Sequence, residues 1–329
     1  MGIDSLIDDD IRFSKLKVRD KIELLSELSD YLIPYRSSLN FSENITFGLE
    51  MEYESLSRIV LADKHQIDEW RSCDDPTLSC GGEIKSPVLT DKGTTWEDLQ
   101  AVCALFRMNR VDTFGNCGGH IHFGKKIFDD NLEYFRNFLK LIMLYEPILF
   151  YFGYGDKLIG RRLIYKYAPP IASSLYKNKR RINKSNCFEE LLDVIPFFDK
   201  NQSICFKNLD FEGYYEFYNT IEFRFPNSSS EEVIWQNNIN VLGKLLMYAC
   251  SESFDKHLVD YRLFVLDQSR FNKRMYESLQ LDLALEFADL IFTDTLDKVN
   301  FLKQYYKLYR EDNNKIHAKK FVKSISVTD

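Results

Sequence analysis

The sequence predicts an α+β fold, on three observations. Four short segments alternate apolar with ionic residues at a period of two, the mark of strands buried on one side. Longer stretches between and after them carry apolar residues at helical spacing. No internal repeat, low-complexity tract or Gly/Ser/Pro-rich linker divides the chain. With 329 residues, 45% of them hydrophobic and 28% charged, the chain is long enough to bury a sizeable core. We read an N-terminal helical segment at 1–40, a central α+β domain at 41–253 and a helical C-terminal extension at 254–329, packed on the same domain.

The first element is a helix over Arg19 to Leu32, with Ile22, Leu24, Leu25, Leu28, Tyr31 and Leu32 on its apolar side, stopping ahead of Pro34. Asn44 to Glu54 is the clearest strand. Ile45, Phe47, Leu49, Met51 and Tyr53 alternate there with Thr46, Gly48, Glu50, Glu52 and Glu54. Leu56 to Trp70 shows no readable period and is expected to cross the mouth of the fold. A second strand spans Leu78 to Val88, with Gly81 and Gly82 inside it. Thr95-Trp96-Glu97-Asp98 has capping-box character and opens a helix to about Met108.

Cys117 to Gly124 is the third strand, and Asp130 begins a long helix expected to end near Pro147. Residues 155–186 are basic and irregular, followed by a short helix at Glu189 to Ile195. Strand signals return at Gln202 to Asn208 and Tyr218 to Pro226. Ser229-Ser230-Glu231-Glu232 caps a helix to about Cys250. The chain then reads as helical to about Tyr309, with a charged tail from Arg310 to Asp329.

Composition narrows the classes. A net charge of −7 argues against a nucleic-acid footprint, which needs a basic face. Seven cysteines with no Cys-x-x-Cys pair indicate neither a disulfide framework nor a thiolate zinc site. They read as free thiols in a reducing cytoplasm. The start of the chain is acidic and lacks the apolar run of a secretory signal. Leu141 to Phe152, the most apolar run, is broken by Glu146 and Pro147 and is too short for a bilayer, so it reads as core. An oligomer is compatible with all of this.

The ionic faces carry the chemistry. Glu50, Glu52 and Glu54 stand roughly 7 Å apart on one side of their strand. Neighbours at that spacing repel by about 2 kcal/mol at an effective dielectric near 20. No lysine or arginine lies between them in the sequence. A solvated sheet face usually mixes Thr, Lys and Glu, so an unrelieved Glu-x-Glu-x-Glu makes a cation site at least as good a reading.

His120 and His122 point the same way on the third strand, flanked by Gly118 and Gly124, which leave room for a ligand. Glu222 and Arg224 share a face opposite Ile221, Phe223 and Phe225. Glu83 and Lys85 share a face opposite Ile84. Taken singly these pairs read as surface ion pairs. Gathered on one sheet surface, an excess of carboxylates with histidines and no thiolate suits magnesium or manganese. An arginine beside them suits an anion held between metal and guanidinium. There is no Walker motif and no dinucleotide Gly-x-Gly-x-x-Gly.

At these residues the chain resembles the amidoligase family of the carboxylate–amine ligase superfamily, with glutamine synthetase and glutamate–cysteine ligase. The resemblance rests on Phe47-Gly48-Leu49-Glu50-Met51-Glu52, on Asp75-Pro76-Thr77-Leu78 leading to Gly82-Glu83-Ile84-Lys85-Ser86-Pro87, on Cys117 to Gly124, and on Thr220 to Phe225. It covers roughly residues 44–250. It implies a glutamine synthetase-like curved antiparallel sheet backed by helices, with ATP and two or more Mg2+ or Mn2+ ions on the concave side. It implies ATP-driven joining of a small-molecule or peptide carboxylate to an amine through an acyl phosphate.

Position by position, the resemblance makes Glu50, Glu52, Glu83, His120 and Glu222 metal ligands and Arg224 the arginine that meets the transferring phosphate. His122 falls on the phosphate side, Lys85 and Arg162 among nucleotide contacts, and Asp75 at the amine pocket, with Glu83 and Asp75 counted among the catalytic groups. Pro76 and Thr77 depart from the family's usual glycine and serine. Three other readings stay open: a phosphotransferase of the same superfamily, a zinc-dependent hydrolase using both histidines and a glutamate, and a non-catalytic nucleotide binder.

Overall fold

A computed structural model describes residues 11–56, 67, 69–195, 201–209, 219–266 and 271–307. The expected tail from Arg310, most of the stretch between Leu56 and Trp70, and Tyr218 lie outside the described residues.

Six strands form one antiparallel sheet in the order β2-β3-β1-β4-β6-β5: β1 Phe47–Glu54, β2 Arg71–Cys73, β3 Gly81–Lys85, β4 Gly119–Gly124, β5 Ile204–Cys205 and β6 Thr220–Phe223. Twelve helices surround it among the described residues: α1 Val18–Leu28, α2 Gly93–Asn109, α3 Leu132–Gly153, α4 Ile164–Tyr167, α5 Ala172–Lys177, α6 Lys179–Lys184, α7 Phe188–Val194, α8 Glu232–Ala249, α9 Lys256–Val265, α10 Lys273–Tyr276, α11 Leu281–Ile291 and α12 Thr295–Tyr305. The mixed α and β class is as the sequence predicts.

The apolar side of the sheet is its inner side. Phe47 stacks on Trp96 of α2 at 5.7 Å, and Tyr53 meets Phe106 of the same helix at 5.4 Å. Phe223 meets Phe138 of α3 at 6.1 Å, and Phe225, just past β6, stacks on Phe150 of α3 at 5.1 Å. Each such ring contributes roughly 1.5–3 kcal/mol by burial and about 0.5–1.5 kcal/mol more from ring geometry. That inventory fixes which way the strands face, because slipping one strand by a residue would turn its apolar set to the ionic side.

Beneath the helices, Gly119 on β4 is forced by contact. A Cβ there would lie 2.6 Å from Trp235 and 2.8 Å from the Asn227 carbonyl oxygen. A backbone oxygen and a buried indole cannot both yield, so Gly119→Ala is expected to cost about 1–3 kcal/mol. A thermal unfolding midpoint equal to that of the wild type would contradict this packing.

The N-terminal segment is tied to the last helices by hydrogen bonds. Asp289 of α11 accepts from the Phe13 and Ser14 N–H groups at 2.9 and 2.7 Å. Lys303 of α12 donates to the Leu28 and Ser29 carbonyls at 2.8 and 3.0 Å, closing the C-terminus of α1 where orphan carbonyls need a donor.

Several boundaries differ from the sequence reading, each for a local reason. The long helix does not stop at Pro147 but runs to Gly153. Proline removes one backbone bond and costs roughly 3 kcal/mol. Burying Ile148, Leu149, Phe150 and Phe152 beyond it outweighs that, since each is worth about 1.5–3 kcal/mol. The α2 helix starts at Gly93 rather than Thr95, and Thr95 is buried in its first turn instead of capping it. β5 shrinks to two residues, and at its edge Ser203 keeps its carbonyl on the Arg224 N–H but turns its own N–H to the Pro169 carbonyl. β2, three residues long, has no counterpart in the sequence reading.

Candidate metal centre

In an antiparallel pair, directly opposed residues share a face. Pairing sets Glu50 opposite His120 on one side and Lys85 on the other, Glu52 opposite Glu83, and His122 opposite Glu222. Seven side chains from four strands, with Arg224 just past β6, thus gather on one surface: Glu50, Glu52, Glu83, Lys85, His120, His122 and Glu222. Sequence separation had hidden the pairing; strand register supplies it.

The His120 imidazole is the hub. Its Nδ1 lies 3.0 Å from Glu50 Oε2 and 3.5 Å from Glu222 Oε1, and its Nε2 lies 3.4 Å from Glu52 Oε1. Glu52 also accepts from the Gly118 N–H at 2.5 Å. The Lys85 ammonium sits 2.8 Å from Glu50 and 2.9 Å from Glu83. Arg224, just past β6, pairs with Glu222. The repulsion expected along β1 is therefore relieved across the sheet, by groups remote in sequence. Glu54 stands apart at the strand end, where Asn116 donates to its Oε2 at 3.1 Å.

Burial works against the ionised forms here, and partners decide the outcome. For Glu50 burial alone would raise the carboxyl, yet the hydrogen bond and charge of His120, then His122 and Lys85, hold it far below the usual carboxylate range. Glu83 moves the other way, raised by burial and by the Glu50 charge despite Lys85. His122 is pushed down by burial, against the pull of Glu222 and Glu50, which keeps its imidazole neutral.

One ligand set stands out. Donor atoms of Glu50, His122 and Glu222 all lie within 4.8 Å of one another. His122 Nε2 is buried and has no hydrogen-bond partner among the described residues, while Nδ1 lies 3.3 Å from the Thr220 hydroxyl. A neutral imidazole with an orphaned nitrogen, between two carboxylates, fits a divalent cation. Cys205 lies opposite Glu222, but burial raises its thiol and keeps it protonated. Oxygen and imidazole donors without thiolate suit magnesium or manganese.

Two expected positions are elsewhere. Asp75 sits in the β2–β3 loop, where its Oδ1 accepts from the Thr77 N–H and hydroxyl, both at 2.7 Å. Arg162 is exposed, and its backbone N–H bonds the Gly115 carbonyl at 3.2 Å. Its neighbour Arg161 is the one that reaches the sheet. Arg161 is 3% exposed and donates to the Arg224 and Pro226 carbonyls at 2.8 and 2.7 Å. A Cβ on Gly118 would lie 3.0 Å from His120 Nε2 and 3.1 Å from Arg161 Cζ, so this glycine leaves the space that both side chains use. Nothing periodic in the basic stretch distinguishes Arg161 from Arg162. The only local cue is Gly160, whose lack of a side chain lets the backbone turn against Tyr154.

A sheet with one apolar and one acid–imidazole face, backed by helices, carries the marks of an enzyme site. Residues 60–246, more than half the chain, match a family described as "Putative amidoligase enzyme". The chain belongs to that family, and its class is a ligase-type enzyme. No curated protein matches the chain. No helix among the described residues is long and apolar enough to cross a membrane.

Proposed function

We propose that this chain is an ATP-dependent carbon–nitrogen ligase with a glutamine synthetase-like sheet, joining a small-molecule or peptide carboxylate to an amine. The observation that carries the reading is the Glu50, His122 and Glu222 set with its unpartnered imidazole nitrogen, flanked by Arg224. Mg2+ or Mn2+ is the ion these donors favour. Bound there, a divalent ion would neutralise phosphate charge.

In the first half-reaction a carboxylate oxygen of the acid attacks the γ-phosphorus of ATP. The bond to the ADP oxygen breaks, and an acyl phosphate forms. In the second, the amine nitrogen attacks the acyl carbon, the carbon–oxygen bond to phosphate breaks, and the nitrogen loses a proton. Phosphorylation turns a poor electrophile into one with a good leaving group, splitting one hard step into two.

The chain's own contribution is placement and charge. Arg224, whose guanidinium pairs with Glu222 while its Nε has no hydrogen-bond partner among the described residues, steadies the transferring phosphoryl group. The Glu83 carboxyl, raised by burial, is suited to take the amine proton. The family resemblance assigns Lys85 and Arg162 to the nucleotide and Asp75 to the amine.

The test incubates the protein with Mg–ATP and pooled acids and amines, follows ADP, and searches by mass spectrometry for products lighter than the summed reactants by one water. ADP release with such a product is the expected result. A stable phosphorylated product would make the protein a phosphotransferase. Hydrolysis restored by zinc without ATP would make it a hydrolase. A thermal shift with Mg–ATP but no turnover on any pool would leave only binding.

A further inference from the structure

The β3 lysine occupies a position that its surroundings reserve for a cation. Register sets Lys85 directly opposite Glu50, and Lys85 and Glu83 point to the same side of β3. The ammonium reaches both, at 2.8 Å to Glu50 Oε1 and 2.9 Å to Glu83 Oε1. Glu83 and Glu52 oppose each other across the same pair of strands. Three carboxylates would therefore crowd one end of the centre if nothing positive stood among them.

The other end is built differently. Glu50, His122 and Glu222 hold donor atoms within 4.8 Å of one another, and His122 Nε2 has no hydrogen-bond partner among the described residues. Lys85 is paired with neither His122 nor Glu222. The ionic face thus has one end with an imidazole nitrogen that lacks a hydrogen-bond partner and faces Glu50 Oε1 at 3.7 Å, and one end whose carboxylates already share a covalently tethered cation.

We infer that Lys85 replaces a metal ion: the protein holds one divalent cation, at Glu50, His122 and Glu222, and the Lys85 ammonium permanently fills the Glu50–Glu83 position. Any further divalent ion enters with the nucleotide phosphates rather than on the protein. The chemistry is straightforward. An ammonium offers three donors to carboxylate oxygens and carries one charge, so it satisfies the Glu50–Glu83 pair without inviting a second divalent ion. It does not exchange with solvent, and it cannot be stripped by a chelator. This inference rests on reading the centre as a divalent-metal site, but not on which reaction the site performs.

The experiment counts Mn2+ bound to the full chain, without nucleotide, by equilibrium dialysis and by electron paramagnetic resonance. The wild type is expected to bind one ion per chain, with the six-line signal of an isolated Mn2+. Lys85→Met is expected to bind two, with a dipolar-coupled signal. Adding Glu83→Gln to Lys85→Met should return the count to one. Lys85→Gln serves as the second variant should the methionine disturb folding. Two ions in the wild type, or one in both Lys85 variants, would overturn the inference and leave the ligase reading standing. No binding by the wild type would overturn the metal centre together with it. A single ion with no ligase activity on any pool would sink the reaction and keep the inference.

Discussion

Glu222→Gln is expected to lower turnover about a thousandfold while leaving the protein folded. The size follows from what the carboxylate does. It pairs with Arg224, lies 3.5 Å from His120 Nδ1, and completes the ligand set with Glu50 and His122. Glutamine keeps the volume and one acceptor oxygen but removes the charge that would hold a divalent ion and aim the guanidinium. Losing a single preorganised charge-stabilising group costs about 10²–10³ in rate, and here one substitution disturbs both the candidate metal position and Arg224. A thousandfold is about 4 kcal/mol of barrier.

Stability should move far less. Removing one member of a buried ion pair normally costs several kcal/mol, but this carboxylate sits near Glu50, and losing it also removes like-charge repulsion. Steady-state ADP release and a thermal unfolding curve, measured together, decide the matter. Turnover within tenfold of the wild type would remove Glu222 from the centre. A collapsed unfolding midpoint would make it structural instead.

How much of this could be read from the residues alone depends on which link each feature occupies. The faces of β1, β4 and β6 were legible because a strand writes its two sides into alternate positions. Glu50 and Glu52, His120 and His122, and Glu222 and Arg224 could be assigned to sides without knowing any partner. Register is not written that way. That Lys85 lies opposite Glu50, and so relieves a row of glutamates that looks unrelieved in sequence, appears only when β3 is paired with β1.

Arg161 was harder still. It stands on no strand, its neighbour has the same charge, and only burial separates them. Pro147 misled for the opposite reason. Its local rule is sound, but α3 is buried along almost its whole length, and packing outweighs one missing hydrogen bond. Short strands such as β2 and β5 hold too few residues for a period to show.

The charged residue inside that helix yields the second large effect. Glu146→Ala is expected to destabilise the protein by about 3–5 kcal/mol, because it removes the acceptor from a buried hydrogen-bonded network. Glu146 is fully buried, and its carboxylate takes four donors: the Ile171 and Ala172 N–H groups at 2.8 Å, the Ser203 hydroxyl at 2.6 Å and the Tyr276 hydroxyl at 2.8 Å. It joins α3 to the start of α5, to the segment before β5 and to α10. For a chain of this size the loss corresponds to a fall in midpoint of roughly 10 °C.

The sign of the pH dependence follows from the same burial. Desolvation raises the Glu146 carboxyl above the ordinary glutamate range despite its four donors. A raised acid favours the folded state most when it is protonated. Its contribution is therefore fully present below the unfolded value and lost as pH rises through the folded one. The stability gap between wild type and Glu146→Ala should widen as pH falls toward the ordinary carboxyl range.

The network also touches the centre. Ser203, held by Glu146, accepts the Arg224 N–H on its carbonyl at 2.8 Å, so loosening Ser203 releases the backbone that carries Arg224. Folded Glu146→Ala at low temperature should accordingly lose turnover and bind Mn2+ more weakly, because Glu222 lies two residues before Arg224 and pairs with β5 beside Ser203. A variant as stable as the wild type would show that the four donors find other acceptors, and that Glu146 does not hold this side of the sheet in place.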